Sequence, residues 1–169
     1  MGMIGNFYLV DDELIRSLLA DPSAVHAVVE AAEEGDEDDR FEDIGKSWHC
    51  LHYLLTGTVG GGDPPLDFIV SGGVEVGDED VGYGRARAFS SSNVAAIAEA
   101  LRPIGHAEFV RRFDARRMDE LEIYPHAGRW SEVVPTSEEF GYYLDGFDAL
   151  ERLVERGHSE GLGLLAWLG

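Results

Sequence analysis

The chain has 169 residues, 44% hydrophobic and 27% charged, the balance of a globular protein long enough to bury a core of its own as one domain. Against 33 Asp and Glu stand only 13 Lys and Arg, a net charge of −20. Such a surface repels phosphate backbones and anionic lipid, which argues against nucleic acid or a membrane as partner. Compositional bias of a high-G+C or salt-adapted genome is the favoured cause, and a surface meant for a basic partner the sharper alternative.

One cysteine, Cys50, can form no internal disulfide and reads as a buried structural thiol in a reducing, cytoplasmic compartment. The N-terminal residues lack the basic and apolar regions of a signal peptide. No stretch of about 18 apolar residues is available to span a bilayer.

In chain order, Met3 to Val10 predicts a short strand, running into a helix capped by Asp11 with Leu14, Leu18 and Leu19 as its apolar stripe. Asp21-Pro22 restarts a helix, proline at its first position, and Val25, Val28, Val29 and Ala32 follow at i, i+3, i+4, i+7. Residues 33 to 39, six acids and a glycine, read as a solvated loop. A calcium loop would need alternating ligands and a terminal glutamate that this run does not have.

Residues 48 to 57, Trp-His-Cys-Leu-His-Tyr-Leu-Leu-Thr-Gly, are the stretch on which the chain is centred. Ser47 is a candidate N-cap and Gly57 a candidate terminator, and apolar residues on nearly every side predict a buried helix. The three glycines of residues 60 to 62 lack the Gly-Lys-Ser/Thr ending of a phosphate loop. Leu66 to Val70 is a short apolar element of ambiguous type, and Val74 to Asp80 reads as loop.

Tyr83 to Phe89 alternates with period two, with Tyr83, Arg85, Arg87 and Phe89 on one face and Gly84, Ala86 and Ala88 on the other. Ser90 caps a helix carrying Val94, Ile97, Ala98 and Leu101, ended by Pro103. Glu108 to Glu122 predicts two short helices broken near Asp114, their arginines a solvated face paired with nearby acids. Trp130 falls in a loop or extended segment. Glu138 to Arg156 predicts the longest helix, Gly157 to Gly161 a turn, and Leu162 to Leu168 a terminal apolar strand. Two or three strands, at least six helices and no βαβ alternation predict an α+β fold, mostly helical with a small sheet.

Several of these segments together, Met1 to Gly5, Trp48 to Gly57, Tyr83 to Arg87, and Glu122 to Pro125 with Trp130, resemble the YfbM-like family of small bacterial proteins in order and over nearly the full length. The family is a domain of unknown function with an α/β structure. The resemblance therefore implies a fold and no activity.

His49 and His52 stand at i, i+3, a spacing that holds a metal only if further ligands arrive, and no His/Cys/carboxylate cluster completes the set. No metal or cofactor is expected. Cys50 beside His49 is poorly disposed for proton transfer, because adjacent helical residues point about 100° apart. A candidate ligand site joins His52, Tyr53 and Thr56 with Tyr83, Arg85, Arg87, Glu122 and Tyr124. Their order of histidine, tyrosine and glutamate is similar to that of NAD-handling ADP-ribosyl transferases, although here the histidine lies on a helix rather than a strand. The competing reading has Arg85 and Arg87 paired with carboxylates such as Glu122 in a structural network. The sequence thus favours a non-enzymatic binding protein with an acidic surface that meets a basic protein partner. The alternative is an enzyme or small-molecule binder that holds an anionic, nucleotide-like ligand in the His/Tyr/Arg/Glu cleft.

Overall fold

The computed structural model describes residues 2–35 and 39–169 of the chain. Residues 36–38 of the acidic run, and with them the core of the calcium reading, lie outside the described residues, as does Met1.

The fold is α+β, with helices on both faces of a five-stranded antiparallel sheet. Strand β1 (Gly5–Val10) leads into α1 (Asp12–Ala20), where the Asp11 carboxylate accepts the Leu14 N–H as an N-cap. The buried stripe of α1 is Ile15 and Leu18, whereas Leu19 is exposed. Asp21 then caps the tight turn Pro22–Ala24, which continues as α2 (Val25–Glu34) with Val25, Val29 and Ala32 inward. Glu33 and Glu34 thus belong to a helix rather than to a loop. The Glu33 carboxylate accepts the Trp167 indole N–H at 2.9 Å, a partner far along the chain that charge counting does not reveal.

Strand β2 (Phe41–Asp43) pairs with β1 and forms one edge of the sheet. The central helix α3 (Trp48–Thr56) follows, every residue from Trp48 to Leu55 buried. Gly57 ends it in the left-handed conformation that glycine adopts without a Cβ penalty. Ser47 does not cap it. The chain is already helical there, in the turn Gly45–Ser47, and the Ser47 hydroxyl donates back to the Ile44 carbonyl at 2.6 Å.

Val74–Glu75 is not loop but β3, the opposite edge strand, set against β4 (Arg87–Phe89). The period-two pattern is strand only over those three residues of β4, and residues 81–84 form bends. Helix α4 (Ser91–Leu101) begins with a reciprocal Ser90–Asn93 capping box. Helices α5 (His106–Arg112) and α6 (Ala115–Glu120) break at Asp114, which caps α6. Helix α7 runs from Glu138 to Glu160, through Gly157 instead of turning there, and Gly161 terminates it. Strand β5 (Gly163–Leu168) closes the chain at the middle of the sheet, in the order β2-β1-β5-β4-β3. Between β1 and β4 it is covered on both faces, which explains its unbroken apolar run.

The pleat divides the core. Phe7, Leu9, Phe89, Leu164 and Ala166 face α3, α4, α5 and α7, while Val10, Ala86, Ala88, Leu165 and Trp167 face α1 and α2. Gly157 lets α7 approach the sheet, since a Cβ there would lie 2.6 Å from Leu9 Cδ2 and 3.1 Å from Val94 Cγ1. A Cβ on Gly141 of the same helix meets nothing within 4 Å. Gly157→Ala is therefore expected to destabilise the protein by about 1–3 kcal/mol through overpacking. Gly141→Ala should stabilise it by up to about 1 kcal/mol from helix propensity alone. Urea denaturation of both variants beside wild type tests the pair, and equal effects would contradict the packing assigned to Gly157.

Candidate functional site

A helix buried on all sides must find partners elsewhere for its polar side chains and its terminal carbonyls. His49 supplies the most far-reaching of these links. The Tyr124 backbone N–H donates to His49 Nδ1 at 3.0 Å, so the ring hydrogen sits on Nε2, which donates to the Val59 carbonyl at 2.9 Å. One neutral imidazole thus joins α3 to the loop after it and to the segment beyond α6. Trp48 stacks on the imidazole with centroids 4.8 Å apart, and its indole N–H reaches the Met3 carbonyl at 3.1 Å. At the other end of α3, Arg112 Nη1 donates to the carbonyls of Leu54 and Leu55 at 2.9 and 3.3 Å. Arg112 also pairs with Glu108, as the helical spacing predicts.

His52 lies wholly inside the core. The Thr56 hydroxyl donates to the His52 carbonyl at 2.8 Å, which leaves His52 Nε2 as donor in its long 3.4 Å contact with Thr56 Oγ1. Its Nδ1 meets no hydrogen-bond partner among the described residues. Burial, with smaller contributions from His49 and Arg87, pulls the His52 pKa down to about 4. Burial also lowers that of His49, and it pushes the Cys50 thiol well up, so no thiolate is poised beside either imidazole.

The arginines at 85 and 87 have different fates. The irregular segment 66–72 buries Phe68 and Ile69, and its carbonyls have no ladder to join. The Arg87 guanidinium serves them, donating to Phe68 at 3.0 Å, Ile69 at 2.7 Å, and also Ser71 and Gly72. Burial holds the Arg87 pKa down to about 10, opposed by the nearby charges of Asp67 and Glu75. Arg85, half-exposed, bonds Glu75 at 2.5 Å and lies 3.8 Å from Asp78.

The eight candidate residues fall in distinct places. His52 belongs to the interior of α3, and Tyr53 and Thr56 line a groove at its C-terminal end with Arg112. Tyr83, Arg85 and Arg87 share a cleft of about 190 Å³ beside the end of β5. Glu122 is exposed in a left-handed turn after α6 and Tyr124 hangs on His49, so neither lines that cleft. Alternation brought Arg85 and Arg87 into view, but the partner of Arg85 is Glu75 and those of Arg87 are carbonyls. Sequence reasoning missed the bridging role of His49 and the capping role of Arg112. The i, i+4 pairing of Arg112 with Glu108 gives no hint of a second partner on α3. Among the described residues no group of three His, Cys, Asp or Glu is placed to hold a metal ion, and no helix is long and apolar enough to cross a membrane.

Fold and site define a small α+β protein in which one core histidine, His49, ties a buried helix to two distant segments. The chain belongs to the DUF1877 family, a domain of unknown function whose model matches residues 1–167. Protein YfbM of Escherichia coli K12 is 34% identical over 129 residues, 74% of either chain. The crystal structure of YfbM, a protein of unknown function from Escherichia coli, superposes with a TM-score of 0.67 at 25% identity, covering 98% of this chain and 99% of that one.

The depressed His52 pKa has a consequence for stability. Unfolded, an imidazole titrates near about 6.5, so between that value and about 4 the unfolded chain binds a proton that the folded chain does not. The stabilisation is fully present above the unfolded value and is lost as pH falls through this window, to a limit of about 3 kcal/mol for a complete shift of this size. Denaturant unfolding at a series of pH values should show a steeper loss in wild type than in His52→Gln. Parallel curves would contradict the neutral buried imidazole.

Proposed function

We propose that this protein is a non-enzymatic binding protein whose acidic surface docks a basic segment of a protein partner in the groove between β2 and α7. The observation that carries the reading is the groove itself. It has a volume of about 440 Å³ and is lined by the carboxylates of Glu42, Asp43 and Asp145 with Ile44, Tyr142 and Ala149. It runs beside an edge strand, which offers backbone groups to an incoming extended segment. Tyr142 is an exposed aromatic at its rim, the kind of side chain that anchors protein interfaces.

Charge elsewhere supports the same reading. Arg102, Arg111, Arg112, Arg116, Arg117 and Arg156 are each engaged with a nearby carboxylate, so local pairing absorbs much of the basic charge and leaves the acidic excess outward. Partial burial raises the Glu42 pKa against the opposing pull of Arg152, and a cation arriving from a partner would relieve that desolvation. His49, neutral and committed to a carbonyl and an amide, and His52, kept neutral by burial, support a structural role for these imidazoles over proton transfer.

Fluorescence anisotropy with a labelled arginine-rich peptide tests the proposal. Binding should weaken with added salt and fall about tenfold or more in Asp145→Lys. Glu30→Lys, the same charge change on exposed α2, should leave it nearly unaltered. Equal losses in both variants, or no salt-sensitive binding in wild type, would overturn the groove as the docking site.

A further inference from the structure

The cleft beside the end of β5 is distinct from the β2–α7 groove and has the opposite charge character. Two guanidiniums, Arg85 and Arg87, face one carboxylate, Glu75, across a space of about 190 Å³. In a chain of net charge −20, the lining itself thus holds one guanidinium more than carboxylates, and the physical origin of that excess is visible. Arg87 is buried by its duty to the carbonyls of segment 66–72, which are dipoles and not counter-charges. Among the described residues no carboxylate lies within ion-pair distance of it, the nearest compensation coming from Asp67 and Glu75 at longer range. Glu75, the residue paired with Arg87 across the β3–β4 ladder, is instead engaged by Arg85. Arg85 thus takes Glu75, with Asp78 3.8 Å away outside the cleft lining, and Arg87 is left with no carboxylate of its own at ion-pair distance among the described residues.

The walls are set by the fold. The Tyr83 N–H donates to the Leu168 carbonyl at 2.8 Å, tying the turn at residues 81–84 to the end of β5 and holding the exposed Tyr83 ring at the mouth. Val70 and Leu168 supply apolar surface beside it. Gly84, at φ 130°, takes a backbone conformation that a larger residue would resist, which keeps this side of the cleft open.

We propose that this cleft binds a small organic monocarboxylate with a short apolar or aromatic body, its carboxylate held by Arg85 beside Arg87 and its body against Tyr83, Val70 and Leu168. A planar carboxylate matches the fork of a guanidinium and carries the single charge that the lining lacks. A phosphate dianion would add a second negative charge next to Glu75 and within the acidic field of the whole chain, so the carboxylate is the favoured anion. Binding does not depend on the groove proposed for a protein partner, and neither result decides the other.

The test is amide chemical-shift titration of the folded protein with butyrate, benzoate, methyl benzoate and inorganic phosphate. Butyrate and benzoate should give saturable shifts confined to residues 74–75 and 83–87 and the end of β5, the neutral ester none, and phosphate weaker ones. Arg85→Gln should weaken benzoate about tenfold or more, the loss expected of a charge-assisted hydrogen bond. Glu75→Gln should tighten it by removing the competing carboxylate. Both positions are partly exposed, and a far-UV circular dichroism spectrum verifies that the variants are folded. No saturable shift in either wild type or Glu75→Gln, shifts indifferent to Arg85→Gln, or phosphate binding more tightly than benzoate would each overturn the proposal.

Discussion

Burying a helix on every side is a demand as much as a source of stability. The apolar surface of α3 draws the sheet and the surrounding helices inward, yet its ring nitrogens and last carbonyls lose water in the same step. Most are met by groups from other parts of the chain, His52 Nδ1 being the exception among the described residues. His49 answers with two hydrogen bonds, to Val59 and Tyr124, Trp48 reaches back to Met3, and Arg112 closes the carbonyls of Leu54 and Leu55. These ties fix the approach to β1, the loop after α3, helix α5 and the turn at residues 122–125 around one axis. Of the residue types that most suggest chemistry, two histidines and a cysteine in nine residues, His49 is explained by that demand, while His52 and Cys50 are buried in the core.

The same economy governs the charges. Arg87 satisfies a buried irregular segment, and much of the remaining basic charge is neutralised by neighbouring acids. Long-range negative charge and a short-range positive cleft can then coexist on one small surface. Charge arranged in patches of opposite sign is what the two proposed binding roles call for.

Much of the fold was legible because its signals are local. Asp11, Ser90 and Asp114 mark helix starts through side-chain caps three residues long, and Gly57 marks an end through its backbone. The apolar run at the C-terminus reads as a strand and is one. What the sequence concealed depends on partners far along the chain. Glu33 and Glu34 look like loop until Trp167 is seen to reach Glu33, and the edge strands β2 and β3 are too short to show a period. Gly157 looks like a turn residue, whereas the close approach of Leu9 and Val94 is what calls for it. Of the candidate site, Tyr83, Arg85 and Arg87 were recoverable from alternation and do share a cleft. Residue type and order group Glu122 and Tyr124 with them, whereas Tyr124 bonds His49 and Glu122 is exposed in the turn after α6.

Long-range proton–nitrogen correlation spectra of the imidazole rings show whether His49 is a neutral bridge with its hydrogen on Nε2. At pH 6 the His49 ring should show a protonated Nε2 and a Nδ1 shifted as a hydrogen-bond acceptor, since burial lowers its pKa. A doubly protonated His49 ring at that pH, or the hydrogen on Nδ1, would contradict the account.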